Sequence, residues 1–338
     1  MSGMTLKSIS WLLPDKIETN EDLVREFGMW TPKKIYSKTG VHQRHIAEGA
    51  PLSEFLAQTG EKFFAEHPDI SRDSIDMLIV CTETRDYILP ATACIVHERL
   101  GLKKTCGAFD YDLGCSGYVY GLAIARGFLC GGLAKRVLLM TGDLVTRYIN
   151  DQDKSTRTIF GDGFTATLLE ATEEDNVSAF DLCTDGSGSH TLIIEAGATA
   201  MPYSAKTSEV EVNRFGNVRC KENLFMDGPK VLEFALTEEP ASIERVLSRA
   251  GCTLDDIDLV VFHQATRLML ERLRDHLGIP EDKFVIAMED KGNTVSSTIP
   301  IALGECAASG RLRPGMKVLI SGFGVGLSWG AAVLTWSN

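Results

Sequence analysis

The sequence predicts an α/β protein made of two similar halves, each with a mostly parallel sheet covered by helices. Strand-like apolar segments alternate with segments of helical spacing along the chain, which is typical of parallel sheets. At 338 residues the chain exceeds the usual size of a single core, which favours one large domain or two fused halves. Matching segments recur about 180 residues apart, which indicates that one half repeats the other.

Three pairs of matching segments support this internal repeat. Their offsets of 182, 177 and 180 positions are nearly constant, as a duplication requires. The pairs are the strand patterns at 74–80 and 256–262, the Leu-Gly pairs at 100–101 and 277–278, and the strand-ending glycines 142 and 322. We therefore predict an N-terminal half of residues 1–172 and a C-terminal half of residues 173–338. Residues 185–223 lack clear periodicity and are predicted to form a loop insertion near the ligand.

Composition and charge exclude several classes of function. The formal net charge of −12 disfavours nucleic acid and anionic membrane, which proteins bind through Lys and Arg. The nine cysteines are odd in number and never spaced as C-x-x-C, which favours reduced thiols over a disulfide framework or a zinc site. No signal-peptide core and no apolar run of about 18 residues is found. We expect a cytoplasmic protein without a metal.

Cys115 is the candidate nucleophile. It lies between an apolar strand at 108–113 and a helical stretch that follows, so its thiol is predicted at a helix N-terminus. The helix dipole and free backbone N–H groups at such a position stabilise a thiolate and lower the pKa of the thiol. The flanking Gly114 and Gly117 let a substrate approach the backbone closely. From position alone, a buried unreactive cysteine is an equally good interpretation.

Two polar side chains of the C-terminal half are candidate partners of Cys115. Asn293 occupies the matching turn of the repeat and is predicted to lie pseudo-symmetrically across from Cys115. His263 follows the strand at 259–262, at the end of a parallel sheet where α/β sites collect. Taken singly, a turn asparagine and a core or helix-capping histidine are the simpler interpretations. Together with Cys115, they indicate one shared active site.

Several sequence blocks resemble the ketoacyl-ACP synthase III family of condensing enzymes, in the thiolase superfamily. The blocks are DLGCSGYVYGL at 112–122, FHQA at 262–265, KGNT at 291–294 and FGVGLSWG at 323–330, with similar segments at 38–41 and 159–163. The resemblance implies the thiolase fold, with two pseudo-repeated α/β halves in a layered αβαβα arrangement. It also implies a homodimer with no tightly bound cofactor.

The resemblance further implies a two-stage reaction. A thioester of coenzyme A or of an acyl carrier protein passes its acyl group to Cys115; a malonyl thioester then loses carbon dioxide, and the enolate attacks the acyl carbon. His263 and Asn293 would donate hydrogen bonds to the oxygen on which negative charge develops. Backbone N–H groups of Cys115 and Val325 would form a second oxyanion hole. The implied activity is 3-oxoacyl-ACP synthase III-type condensation in fatty acid, related lipid or secondary-metabolite biosynthesis.

Substrate-binding candidates come from the same resemblance. Where family members stack adenine between a tryptophan and an arginine, this chain has Lys34 and Lys154, and an ammonium group does not stack in that way. Trp30 lies nearby and partly compensates. Leu89 stands where the family places a partner-subunit residue at the acyl pocket. The full set of candidates is Lys34, Lys38, Leu89, Lys154, Thr266, which replaces the asparagine of the family's His-Gln-Ala-Asn, and Phe323 of the glycine loop.

An acidic carrier protein needs a basic landing surface. Arg267, Arg272 and Arg274 follow His263 on a predicted helix and are the candidates for docking it. An ordinary solvated helical face is the alternative interpretation.

Other functions occur on the same fold. A thiolase needs a second cysteine in the C-terminal glycine loop, and residues 323–330 contain none. A hydroxymethylglutaryl-type synthase needs a glutamate base beside the nucleophile, and Glu83 ends a predicted strand at a suitable place. The main alternative is an acyltransferase that moves the Cys115 acyl group to an amine, hydroxyl or small-molecule acceptor. A non-catalytic partner subunit would have lost the nucleophile, which this chain retains.

Overall fold

This computed structural model contains strands and helices in both halves, over the described residues 3–177 and 179–337. The first half contains β1 (Gly3–Leu12), β2 (Lys16–Thr19), α1 (Asn20–Phe27), α2 (Pro32–Thr39), β3 (Gln43–Ile46), α3 (Leu52–Glu66), β4 (Met77–Cys81), α4 (Thr92–Arg99), β5 (Gly107–Tyr111), α5 (Gly117–Cys130), β6 (Arg136–Asp143), α6 (Lys154–Arg157) and β7 (Gly163–Thr172). The second half contains β8 (Ala179–Thr184), β9 (Leu192–Ile193), β10 (Glu211–Val212), β11 (Val218–Arg219), β12 (Phe225–Met226), α7 (Gly228–Ala250), β13 (Leu259–Phe262), α8 (Arg267–Leu277), α9 (Thr298–Ala308), β14 (Lys317–Gly324) and β15 (Ser328–Thr335).

Two sheets with the same strand order form the framework. The first has the order β1-β7-β6-β4-β5 and the second the order β8-β15-β14-β13. All but one strand of each sheet point the same way, because only β7 and β15 run antiparallel to their neighbours. A parallel bridge between Val260 and Phe284 stands where the second sheet would have its fifth strand. The common order confirms the predicted repeat, with β4 matched to β13 and β6 to β14.

Strand side chains point alternately to opposite faces, and this builds the five layers. In β4, Leu78 and Val80 belong to the core shared with α3 and α4, whereas Ile79 belongs to the central core. In β13, Val260 faces the core of α7 and α8, and Val261 faces the centre. Helices α5 and α9 fill the central layer between the sheets. The predicted αβαβα arrangement is therefore confirmed.

The two central helices begin at equivalent places. Their N-cap residues, Ser116 (φ −84°, ψ −9°) and Ser297 (φ −86°, ψ −8°), share one backbone conformation. This match pairs Cys115 with Ser296, so the expectation that Asn293 is the direct counterpart of Cys115 is wrong. A single turn of 3-10 helix precedes α9 and moves Asn293 one turn away from the helix start.

The segment that joins the halves contributes to the site region. The first sheet draws its strands from residues 3–172 and the second from 179–335, which supports a boundary between residues 172 and 173. That boundary stays a prediction. The expected loop insertion holds a 3-10 helix at Gly186–Thr191 and short strands; β10 pairs with β11, and β9 pairs with β12, which directly follows the segment. Over residues 3–177 and 179–337, no helix has both the length and the apolar character needed to cross a membrane.

Candidate active site

A cavity of about 220 Å³ lies between the two halves. Most of its wall is apolar and comes from both halves and the loop insertion; this part includes Val145, Phe160, Leu192, Ile194, Leu224, Val295 and Val325. The charged residues of the lining are Glu83, Asp112 and Asp143, and all of them are acidic. Cys115 opens onto this cavity.

Glycines at the end of β14 make room for Cys115. A Cβ atom on Gly324 would lie 2.6 Å from the Cys115 Sγ atom, and one on Gly322 would lie 2.5 Å from the Cys115 carbonyl oxygen. A larger residue at either position would displace the nucleophile. The backbone N–H groups of Val325 and of Cys115 itself are directed at the sulfur and favour the thiolate.

The pKa of the Cys115 thiol is nevertheless raised above its ordinary value. Burial is the largest cause, since only 6% of the residue is exposed, and the negative charge of Glu83 is the second. The expectation that the helix N-terminus depresses this pKa is wrong. The N–H groups around the sulfur stabilise a thiolate. The loss of water and the nearby carboxylates destabilise it, and their effect is larger. The resting form at neutral pH is therefore the thiol.

His263 and Asn293 lie side by side. The His263 Nε2 and Asn293 Nδ2 atoms are 3.4 Å apart, and the two residues are 1% and 4% exposed. Strand β13 ends at Phe262 and so delivers His263 to the edge of the second sheet. The Asn293 Oδ1 atom accepts a 2.9 Å hydrogen bond from the Val295 N–H, which turns the Nδ2 atom towards His263.

Thr298 orients the His263 ring. Its Oγ1 atom lies 2.7 Å from His263 Nδ1 and 3.1 Å from the Val295 carbonyl oxygen. Burial lowers the pKa of His263 to about 3, so the ring is neutral. The Thr298 hydroxyl has a single proton, which it donates either to the Val295 carbonyl oxygen or to Nδ1; in the second case the ring proton lies on Nε2 and faces the Asn293 side. Sequence reasoning missed Thr298, although its place at the start of the helix after Asn293 was a usable signal.

Phe323 and Val295 connect this pair to Cys115. The Phe323 ring packs edge-on against His263, with 5.9 Å between the ring centroids, and the next residue abuts the Cys115 sulfur. Val295 lies two positions after Asn293 and lines the Cys115 cavity. The structure thus brings the three predicted side chains to one region. Phe323, predicted to bind substrate, is buried beneath His263 and is not part of the cavity lining.

Asp143 ties the first half to the Asn293 turn. Its carboxylate accepts hydrogen bonds from the Glu83 N–H (2.8 Å), the Ser296 hydroxyl (2.6 Å) and the Thr82 hydroxyl (3.3 Å). Burial raises the pKa of Asp143 to about 6, and the hydrogen bonds from Ser296 and Glu83 oppose that rise. Sequence reasoning missed this residue. The available signal was an acidic residue at the end of a buried strand, β6.

The lysines predicted to bind substrate have different surroundings. The exposed Lys34 and Lys38 ammonium groups lie 5.1 and 5.4 Å from the centroid of the Trp30 ring. Lys154 is only 5% exposed, and its ammonium group donates a 2.8 Å hydrogen bond to the Gly216 carbonyl. Lys154 therefore holds the loop insertion in place and does not offer a free charge to a ligand.

Thr266 and Leu89 also have defined positions. The Thr266 hydroxyl caps α8 by accepting a 3.3 Å hydrogen bond from the Met269 N–H, so part of its bonding capacity is used within the helix. Leu89 is 79% exposed and does not line the cavity of its own chain. Its neighbours Tyr87 and Ile88 are exposed as well, so this loop presents an apolar surface.

Two of the three arginines predicted for docking are paired with acids. Arg267 pairs with Glu289, and Arg274 pairs with Asp275 at 2.8 Å. Arg272 is exposed and has no ion pair among the residues that the structure describes.

A nucleophile turn at the junction of two matching halves, with a neutral imidazole and a carboxamide close by, is the organisation of a thiolase-fold condensing enzyme. Comparison with known proteins supports this class. The family model for 3-oxoacyl-[acyl-carrier-protein (ACP)] synthase III matches residues 109–186, and the model for its C-terminal part matches residues 247–336. The chain belongs to the 3-oxoacyl-[acyl-carrier-protein] synthase III family, as its relatives show over nearly its full length.

Two curated relatives and one solved structure illustrate the similarity. The chain is 36% identical over 331 residues to the beta-ketoacyl-[acyl-carrier-protein] synthase III of Desulfitobacterium hafniense strain Y51, with 96% of each chain covered. It is 37% identical over 334 residues to beta-ketoacyl-[acyl-carrier-protein] synthase III 3 of Streptomyces coelicolor, covering 98% of this chain and 96% of the relative. A crystal structure of a 3-oxoacyl-(acyl-carrier-protein) synthase III superposes with a TM-score of 0.97 at 41% identity, covering 99% and 100% of the two chains. The predicted family, fold and condensing function are confirmed.

Proposed function

We propose that Cys115 carries the acyl group and that His263 and Asn293 serve the decarboxylative condensation with a malonyl thioester. The observation that supports this proposal most strongly is the 3.4 Å pairing of the His263 and Asn293 nitrogens beside the region that holds the Cys115 thiol. The enzyme is then an acyltransferase of the ketoacyl-ACP synthase III type. In an acyl transfer to an amine or hydroxyl, no malonyl thioester takes part and no enolate forms, so no such pair of donors is needed.

In the first half-reaction, the Cys115 sulfur attacks the carbonyl carbon of an acyl thioester. The developing oxyanion accepts hydrogen bonds from the N–H groups of Cys115 and Val325, which already point at the sulfur. Gly324 leaves the space in which the acyl-enzyme forms. These groups are part of the backbone, so they are preorganised and need little movement.

In the second half-reaction, the malonyl thioester loses carbon dioxide and leaves an enolate. Its oxygen would accept hydrogen bonds from His263 Nε2 and Asn293 Nδ2. The neutral state of His263 is compatible with this task, because a neutral imidazole still carries one N–H donor. The enolate carbon then attacks the acyl carbon on Cys115, and the sulfur leaves.

The cavity supports a short acyl primer. Its volume of about 220 Å³ lies below the range of about 300–1,000 Å³ that is usual for pockets that hold drug-sized ligands. The wall beyond the acids is apolar, which suits an alkyl chain. The acyl donors would be coenzyme A or carrier-protein thioesters, with exposed Arg272, Lys34 and Lys38 as the cations available to a phosphate or to an acidic carrier.

We also propose a homodimer in the cytoplasm. The consecutive exposed side chains of Tyr87, Ile88 and Leu89 are 59%, 84% and 79% exposed, and an apolar surface of this kind is suited to burial against a second copy. All nine cysteines are free thiols, which supports a reducing location.

The test is a panel of acyl donors, with coenzyme A and carrier-protein thioesters of several chain lengths. Intact-mass spectrometry should show one acyl adduct on the wild type and none on Cys115→Ala. Release of carbon dioxide from a malonyl thioester should then require the acylated protein. Acylation without decarboxylation would favour the acyltransferase alternative, and no adduct with any donor would contradict the proposal.

A further inference from the structure

Glu83 is an acid of the cavity that the two half-reactions above leave unused. Its carboxylate makes no hydrogen bond or ion pair with any residue of 3–177 and 179–337. A Cβ atom on Gly114, the residue before the nucleophile, would lie 2.3 Å from Glu83 Oε2 and 2.9 Å from Val325 Cγ1. The carboxylate thus lies against the turn that carries Cys115, and its backbone is held by the 2.8 Å hydrogen bond to Asp143.

The Cys115 chemistry needs a group that exchanges a proton with the thiol. The resting nucleophile is a buried thiol, whereas the attacking species is a thiolate. His263 is too weak a base at neutral pH, and its Nδ1 atom lies 2.7 Å from Thr298. Asp143 already accepts three hydrogen bonds. The carboxylate of Asp112 is paired with Arg85 at 3.3 Å.

Glu83 has the properties that this exchange requires. Its side chain lines the cavity and retains enough exposed surface to exchange protons with water. Partial desolvation by the surrounding protein raises the pKa of its carboxyl group, and the charges of Asp143 and Asp112 raise it further. A carboxylate of raised pKa is a stronger base than an ordinary one.

We propose that Glu83 is a catalytic residue that takes the Cys115 proton during acylation and returns one during condensation, an inference that rests on the proposed function. In acylation, the Sγ–C bond forms, the donor C–S bond breaks, and the thiol proton passes through Glu83 to the leaving thiolate. In condensation, the C–C bond forms and the Sγ–C bond breaks. The released Cys115 thiolate takes its proton from the Glu83 carboxyl group, which is recharged from water. Carbon dioxide leaves without a proton, so each cycle consumes one proton from solvent.

Single-turnover acylation of the full-length protein tests this proposal, with Glu83→Gln compared with Asp112→Asn. Both variants remove one negative charge from the cavity, but only the first removes the unpaired proton acceptor. We expect Glu83→Gln to slow acylation about 10²-fold or more and to abolish the pH inflection of the rate, with Asp112→Asn changed only a few-fold. Glu83→Ala should regain part of its rate in added formate, which is small enough to enter the cavity.

Two outcomes would overturn the proposal. If Glu83 acts only through its charge, its removal lowers the pKa of the thiol, and Glu83→Gln is acylated as fast as the wild type or faster. Equal loss of rate in both variants would also overturn it. Alkylation of Cys115 by iodoacetamide across the pH range keeps this test separate from the proposed function, because alkylation needs no thioester. The alkylation rate of the wild type should show an inflection with pH that the rate of Glu83→Gln lacks. Identical dependence of the two rates on pH would contradict the role of Glu83.

Discussion

Replacement of Asn293 separates the two half-reactions. The Asn293 Oδ1 atom accepts from the Val295 N–H at 2.9 Å, and the Nδ2 atom faces His263. Asn293→Ala removes both functions of the carboxamide. Asn293→Asp retains the oxygen that holds Val295 but removes the N–H donor, so the pair distinguishes structural support from catalysis.

The expected magnitudes follow from these contacts. Loss of one donor to a developing oxyanion costs about 2.7–4 kcal/mol, or about 10²–10³ in rate, so both variants should lose that much in condensation. Asn293→Ala also leaves the buried Val295 N–H unpaired, which costs about 1–3 kcal/mol in the free energy of unfolding. The residue that loses this hydrogen bond, Val295, has a φ of 53°, a conformation that branched residues rarely adopt.

The assay begins with protein already acylated at Cys115. Rapid mixing with a malonyl thioester gives the rate of carbon dioxide release, and acylation of the free protein is measured separately. We expect slowed release in both variants and acylation within a few-fold of the wild type. Release at the wild-type rate, or an equal fall in both half-reactions, would refute the assignment of Asn293 to the condensation step.

Three further changes have defined outcomes. Gly324→Ala places a Cβ atom 2.6 Å from the Cys115 sulfur, so single-turnover acylation should fall about 10²-fold or more while the protein remains folded by circular dichroism. Thr298→Val removes the hydroxyl near His263 Nδ1, so carbon dioxide release should fall about tenfold or more, whereas Thr298→Ser should retain most of it. Glu239→Gln should raise the thermal unfolding temperature at pH 8–9 and leave it nearly unchanged below pH 5.

The pH range of the last change follows from the surroundings of Glu239. Its carboxyl group is fully buried and bonded to the Ser321 hydroxyl, and burial raises its pKa from 4.5 to about 8. The stability contributed by the protonated form is therefore complete below pH 4.5 and is lost as the pH rises to about 8. At about 1.4 kcal/mol for each pKa unit, the upper limit of the loss is about 5 kcal/mol. Glu233→Gln, an exposed change on the same helix, is the control; an equal pH dependence in Glu239→Gln and the wild type would contradict this reasoning.

Much of the fold and of the site could be predicted because both are encoded in local pattern. The strands before Cys115 and His263 are short apolar runs. The nearly constant offset between matching segments indicated that these strands belong to equivalent sheets of the two halves. Details that depend on three-dimensional neighbours could not be predicted. The raised pKa of Cys115 comes from burial and from Glu83, which is 32 positions away in sequence. The partner of Lys154 is a carbonyl in the loop insertion 62 positions away.

Peptide mapping of the acylated protein by mass spectrometry, before and after addition of a malonyl thioester, tests the central claim most directly. We expect the acyl group on the peptide that contains Cys115 and on no other cysteine, and its complete discharge as a 3-oxoacyl product with one carbon dioxide for each group lost. An acyl group on a different cysteine, or one on Cys115 that the malonyl thioester fails to discharge, would contradict the account.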